Sequence, residues 1–520
     1  MIAVLLALTA GVATTIWQAV RATRAERATR TALNEVQARS RELEQSLAAN
    51  HAINDFLTED ILHSADPSVA RGEERTIKQA VDDAAKSIDE QFKDQPLVAA
   101  SIRSTLAITY DGLGRPELGL PHAEWALEQR RKLLGDDRAE TISTMDTVVT
   151  LLESLGKTEE AEALAREAVE RGRRALGNAD RTTITAVSNM GHLLHAEGKL
   201  KEAEPYYREA LEDCRNAFGE KNPETLTALN NVASLLMTEG KAAEAEPMFR
   251  RQVELQRSVL PDPDNHPDHI IAISNLAKSL QQQGKFDEAE PLDRRALAMA
   301  RRVFHDDHVS TLIIMRNLGD VCHDRGNLEE SEKLLREALG TMRRTLTDDH
   351  PHTLATMSSL ASVLEARGQL DEAIQLFREA LDRCRKLAGP DHANTITAMN
   401  NLGHALTTAK HFDQAEPVFA EAYRRAGNAE MDPAGAAVAM SRWGPCLVEL
   451  GQYDKAEAPL RESEKRLRAV GMDKGAPMVL VLNALATVCE HTNRADEAAQ
   501  YRAESAKIVT RAATTRSTPR

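Results

Sequence analysis

Glycine recurs along this chain at a fixed interval. Gly114, Gly156, Gly198, Gly240, Gly284, Gly326, Gly368 and Gly451 share one register, with Lys410 and Asn493 where glycine is missing. The steps between these ten positions are 42, 42, 42, 44, 42, 42, 42, 41 and 42 residues. A period of this size marks a supersecondary unit that cannot bury its apolar face alone, so neighbours must stack into a solenoid. Ahead of each glycine lies a helical pattern; in ALNNVASLLMTEG, Leu229, Val232, Ala233 and Leu236 fall at i, i+3, i+4 and i+7.

Taking the glycine as position 15 of each unit, position 8 holds Ala107, Val149, Gly191, Ala233, Ala277, Gly319, Ala361, Gly403, Gly444 and Ala486. Position 20 is equally small, from Gly119 and Ala161 to Ala456 and Ala498. Small residues at both places let two helices cross closely. Position 24 is often large, as in Tyr207, Phe249, Leu335, Phe377 and Phe419, and fills the gap beside the crossing.

This small–small–aromatic pattern around a helix–turn–helix resembles the tetratricopeptide repeat. The 42-residue period, with phrases such as GKLKEAEPYYREAL and LNNVASLL, is similar to the kinesin-light-chain variety. The resemblance covers about residues 100–510 as ten units, near 100–141, 142–183, 184–225, 226–269, 270–311, 312–353, 354–395, 396–436, 437–478 and 479–510. It implies an all-α, right-handed solenoid whose first helices line a concave groove. Departures fall at Lys410 and Asn493, at the two-residue insertion in PDPDNHP, and in the last two units.

A chain of 520 residues is too long for one ordinary core, which agrees with a repeat array. Aromatics make up only 3%, so the core is built mainly from aliphatic residues and alanine. The net charge of −15 argues against sequence-independent nucleic-acid binding, which needs a basic face. The five cysteines form no CxxC and are odd in number, which points to buried free thiols rather than disulfides or zinc.

The first twenty residues, MIAVLLALTAGVATTIWQAV, carry no charge, and Arg21, Arg24, Arg27 and Arg30 follow at once. At a rise of ~1.5 Å per residue this length spans a ~30 Å hydrocarbon layer. With no basic stretch before the apolar run, a retained membrane-spanning anchor over 1–20 is expected rather than a cleaved signal. The arginines place the following side in the cytoplasm. Residues 21–63 form a charged juxtamembrane helix with coiled-coil character, 64–99 a helical N-terminal cap, and 511–520 a disordered tail. The order of apolar span, WQAVRATRAERA, DFLTEDILHSADPS and TIKQAVDDAAKSI also resembles the membrane-span and repeat half of bacterial receptor-type serine/threonine kinases. In those the repeats lie across the membrane from the kinase, so the periplasmic side stays open. These 520 residues hold no Gly-rich phosphate loop, HRD or DFG. That leaves a stand-alone descendant or one half of a longer frame.

No motif asks for catalysis or a cofactor. Gly156-Lys157 sits in the same turn as Gly198-Lys199, and a P-loop would need glycine where Leu151 stands. HDDH (305–308), DDHPH (348–352) and PDHAN (390–394) lie between units, where Asp and His can cap the next helix. His192 and His195 share a helix face but have no third metal ligand nearby. The many glutamates suit i, i+4 pairs with Lys and Arg.

The exception is a ladder of amides. Position 6 holds Asn189, Asn231, Asn275, Asn317 and Asn401, with Ser359 completing the central run. Position 5 adds Asn230 and Asn400 among serines, and Arg316. The tetratricopeptide resemblance implies that this face lines the groove and contacts extended peptides. An amide can donate to and accept from a peptide backbone whatever its side chains. The alternative is that position 6 bonds the neighbouring unit and stiffens the stack. Groove positions 2, 5, 6, 9, 12 and 13 are mostly Ser, Thr, Asn, His and acids, with Arg316 and Lys278 as exceptions, so a neutral internal segment fits better than an acidic tail. The expected function is a non-catalytic, membrane-tethered scaffold for a protein or peptide partner. The alternative is the docking half of a kinase, with a kinase as partner.

Overall fold

The structure is a computed structural model that describes residues 77–427 and 433–516. The expected anchor (1–20) and juxtamembrane helix (21–63) lie outside the described residues. All regular structure among the described residues is helical. The chain divides into two compact units, Met1–Leu193 and Leu194–Arg520.

In the first unit, helix Ile77–Gln91 lays Val81, Ala84 and Ile88 against Val98, Ile102, Leu106 and Tyr110 of helix Pro96–Gly112. The helix pairs Pro96–Gly112 with Pro116–Leu134 and Ala139–Ser154 with Thr158–Ala175 form the first two repeats. Each first helix begins a few residues before the expected unit boundary; the second starts at Ala139 rather than 142.

The second unit continues the alternation. Its first helices include Pro223–Thr238, Pro267–Gln282, Val309–Asp324, Pro351–Ala366 and Ala393–Thr408, each followed by a second helix of 15 to 19 residues. The ninth first helix is split into Pro433–Met440 and Trp443–Glu449. The last helix runs from Ala495 to Arg516, so that its last six residues fall in the segment 511–520 read as a tail. Among the described residues, no helix is long and apolar enough to cross a membrane.

The periodic glycine is a left-handed helix stop. Gly240 has φ 74, and the amide of Lys241 reaches back to the Leu236 carbonyl at 2.8 Å, closing the exposed end of the helix. Lys410 and Asn493, read from sequence as departures, keep the same conformation at φ 62 and φ 59. The turn survives there because the flanking helices dictate it.

A second periodic turn joins several of the repeats to the next, though not the fourth, whose second helix is closed by Leu260 at φ −80. Gly135, Gly219 and Gly389 adopt φ 82 to 88 with ψ 165 to 170. Buried threonines staple it: Thr225 Oγ1 donates to the Gly219 carbonyl and Thr395 Oγ1 to that of Gly389, both at 2.8 Å.

Positions 8, 20 and 24 pack as the pattern required. Ala361, Phe377, Ala415 and Phe419 lie in one buried cluster. At Gly403 and Gly444 the approach is closest, since a Cβ there would stand 2.5 Å from the Phe419 ring or from Leu460. The cysteines are all free thiols, buried except for half-buried Cys384.

Charge on the second helices is organised beyond i, i+4. Arg294 bonds Glu290 in its own helix and both carboxylate oxygens of Glu330 in the next second helix, at 2.7 and 2.8 Å. A parallel row links Arg301 to Glu337, Arg343 to Glu379 and Arg385 to Glu421, again 36 residues apart.

Candidate ligand groove

The first helices place positions 5, 6, 9, 12 and 13 on one face, because residues three, four and seven apart share a side of a helix. In the first unit, Asn189 lies beside Asp146 of the preceding repeat, whose buried carboxylate has no hydrogen-bond partner on either oxygen. Burial pushes the Asp146 carboxyl up to about 7, with the nearby Asn189 amide pulling the other way.

In the second unit the position-6 amides reach towards position 5 of the repeat before. Asn275 Nδ2 donates to Asn230 Oδ1 at 2.9 Å, and Asn317 Nδ2 to Ser274 Oγ at 3.3 Å. Ser359 lies beside Asp320 of the repeat before, and both line one cavity. A second row lies farther along the helices: Gln281 donates to Asp324 at 3.0 Å, and Thr408 to Glu365 at 2.6 Å. At Asn275 and Asn317 the groove face is knitted from one repeat to the next, the second of the two roles open to the amides. Asn231 is half-buried in the same row. Asn400 is 9% exposed and its amide turns back to the Ile396 carbonyl of its own helix. Asn401 is half-buried and lines a cavity.

Two cavities open on this face, of about 480 and 420 Å³. They share His323 and Ser362. The first is lined by Lys278, Gln282, Asp320 and Ser359, the second by Phe377, Asn401, His404 and Arg442.

The groove is more charged than the sequence pattern suggested. Arg316 is nine-tenths buried, and desolvation lowers its pKa, with Asp320 opposing; their side chains stand 4.0 Å apart. Desolvation likewise lowers Lys278 and raises Asp320. Burial works to raise Glu365, but bonds from His404 at 2.7 Å and Thr408 hold its carboxyl below the usual range. Arg442 takes position 6 of the ninth repeat, where the ladder has asparagine or serine, and desolvation lowers its pKa. Counting back from Gly451 would have located it. Beneath the groove, Asp293 occupies position 24, the place of Phe249 and Phe377; it is fully buried and neither oxygen has a hydrogen-bond partner.

His192 and His195 do not converge on a ligand site: His192 faces Glu153 at 3.4 Å, and His195 bonds Thr238 at 2.9 Å. The His and Asp clusters between units act as caps and ion pairs; His308 Nδ1 accepts the Ser310 amide, and Asp306 pairs with Arg301. Among the described residues, no group of three His, Cys, Asp or Glu could hold a metal.

No curated protein matches the chain. Among solved structures it is similar to BtubC (BKLC) from P. vanneervenii at 22% identity, covering 47% of this chain and 92% of that one, with a TM-score of 0.37. The apo quorum sensor NprR from B. thuringiensis is 12% identical over 74% of this chain and 99% of its own, with a TM-score of 0.48. A human IFIT1 dimer is 16% identical over 82% and 94%, with a TM-score of 0.42. The tetratricopeptide repeat profile matches residues 98–174, 182–258, 268–344, 319–383 and 352–427, more than half of the sequence. With its glycine-stopped helix pairs and small–small–aromatic core, the chain belongs to the tetratricopeptide repeat family.

Proposed function

We propose that this protein is a non-catalytic scaffold whose groove holds an extended segment of a protein partner. The observation that carries this reading is the pair of adjoining cavities joined at His323 and Ser362, floored by amides and hydroxyls on rigid helices. An extended chain must satisfy its own backbone donors and acceptors. Asn401, Ser359 and Ser362 offer both kinds of group without demanding a particular side chain. Each such bond contributes only about 1 kcal/mol, so affinity comes from several together with the apolar wall at Phe377. The charged groups of the groove pair acid with base, Arg316 with Asp320 and His404 with Glu365, which suits a segment of low net charge. The reading includes a membrane tether from residues 1–20, motivated by their lack of charge; extraction of full-length protein from membranes only by detergent, and not by high salt, tests it.

The groove is tested with a random peptide display library selected on the full chain. Ser362→Phe fills the junction of the two cavities without touching the ladder bonds. Selected peptides should bind this variant at least tenfold more weakly, at an unchanged melting temperature. Unchanged binding would sink the groove reading. Loss of a kinase upstream or in trans plays no part in this test; co-purification of a kinase domain with the intact chain would favour the docking-half alternative.

A further inference from the structure

The second unit starts four consecutive first helices with the same unusual cap. His266 Nδ1 accepts the Asp268 amide at 3.3 Å, His308 Nδ1 the Ser310 amide at 3.1 Å, His350 Nδ1 the His352 amide at 3.2 Å, and His392 Nδ1 the Asn394 amide at 3.1 Å. The preceding repeats do the same job with groups that keep their acceptor in mild acid: Asp180 caps through Oδ1 at 2.8 Å, as does Asn222.

The difference is chemical. An imidazole nitrogen accepts an N–H only while it holds a lone pair. When the ring takes its second proton, near pH ~6.5 for an ordinary histidine, the acceptor becomes a donor facing another donor. The new positive charge also sits at a helix N-terminus, the end whose dipole favours negative charge. Both effects act against the cap, and they act in four neighbouring repeats at once.

The surrounding charges do not cancel this. Near His266 stand His269 and Asp268, whose Oδ2 is 4.0 Å away, and Asp264, held by Arg295 at 2.6 Å. His308 stacks on Phe304, beside Asp307 and an Asp306 held by Arg301 at 2.9 Å. His350 lies 5.3 Å from the His352 ring, and its neighbours Asp348 and Asp349 are held by Arg343 and Arg383. Next to His392, Asp391 is held by Arg425 at 2.7 Å. Burial keeps His350 below the ordinary imidazole range, as a cap that works in the neutral form requires.

The four capped helices are Pro267–Gln282, Val309–Asp324, Pro351–Ala366 and Ala393–Thr408. They supply every lining residue of the two groove cavities except Phe377 and Arg442. We propose that the four histidine caps form an acid-sensitive latch, which holds the groove-lining helices at neutral pH and loosens them when the rings are protonated in mild acid. The release of a bound segment rests on the groove reading above; the latch itself does not.

The sign follows from the cap. A group that must be neutral when folded contributes stability above the imidazole range and loses it as the pH falls. The test compares the full chain with a variant carrying His266→Asn, His308→Asn, His350→Asn and His392→Asn, since Asn222 already fills this role in the fourth repeat. Between pH 7.5 and 5.5 the wild-type melting temperature should fall by about 5 °C more than that of the variant. Equal falls in the two proteins would overturn the latch. Hydrogen exchange of the unmodified chain gives a second readout that needs no variant. Protection of the amides at 268, 310, 352 and 394, corrected for intrinsic rate, should drop between the two pH values while that at 224 holds. Constant protection at the four would also overturn it. If the latch opens but library peptides selected at pH 7.5 stay bound at pH 5.5, release fails and the latch stands; if no peptide binds at either pH, the groove reading fails instead.

Discussion

Arg336 ties three turns of charge together: its Nε bonds Glu332 in its own helix, and both terminal nitrogens bond Glu372 of the next second helix, each at 2.8 Å. Arg294 makes the same fork with Glu330 one repeat earlier, and Arg378 meets Gln414 one repeat later. The side chains of Arg336 and Glu372 are 43% and 45% exposed, so water and salt screen the pair. Arg336→Ala should cost under about 1 kcal/mol in urea unfolding at low ionic strength. The cost should shrink in 1 M NaCl. An undiminished cost there would assign the effect to the packing of the arginine stem.

His305 occupies the turn that is glycine at Gly135, Gly177, Gly219 and Gly389, at φ 70 and ψ 172 against φ 82 and ψ 170 for Gly389. That region is nearly exclusive to glycine and costs another residue on the order of 1–3 kcal/mol. His305→Gly should therefore raise stability by about 1 kcal/mol after the added freedom of the unfolded chain is subtracted. Thr347, at φ 88, should respond in the same direction. A melting temperature that falls in both variants would show that the side chains contribute more than the strain removes.

Asn275 and Asn230 stand 45 residues apart yet share a hydrogen bond at 2.9 Å. A double-mutant cycle with Asn275→Ala and Asn230→Ala should give a coupling of about 1 kcal/mol in unfolding. Zero coupling would mean the amides prefer water to each other. In the same variants, binding of library-selected peptides separates the two roles of the ladder: a loss equal in both singles marks stiffening, and a loss confined to one marks direct contact.

What the sequence made legible follows the physics of repetition. The glycine at position 15 is repeated because one backbone conformation demands it, so Gly240 and its equivalents exposed both period and fold. The second turn shows the same spacing in Gly135, Gly177 and Gly219, but His305 and Thr347 interrupt it and the loops around it vary. The groove face was legible from helical phase, whereas the partner of each amide was not. Positions 5 and 6 are neighbours on that face, and only the approach of the next repeat turns Asn275 towards Asn230. The 36-residue Arg–Glu rows were hidden because arginines of one row also have an i, i+4 partner, Arg294 in Glu290 and Arg336 in Glu332. Arg442 and Asp293 break their positions' rules singly, and single exceptions do not show in a period.

Asp293 is the sharpest of these exceptions. Burial, followed by the nearby charge of Asp320, pushes its carboxyl up to about 8, with Lys278 pulling the other way. An unfolded aspartate titrates near ~3.9. Between these values the native chain holds a proton that the unfolded chain has released. Stability must then fall as the pH rises through that window, by up to about 1.4 kcal/mol per unit, and level off above it. Asp293→Asn removes the titration while keeping the shape. The variant should match the wild type near pH 4 and exceed it by a few kcal/mol at pH 8 in urea unfolding. Asp293→Leu, which restores the side chain of Leu335 in the equivalent place, should gain at every pH and gain most in alkali. The histidine caps act in the opposite direction and on the acid side, and they are present in both proteins, so they cancel in this comparison. A stability difference between wild type and Asp293→Asn that does not change from pH 4 to pH 8 would show that Asp293 finds a charge partner in solution.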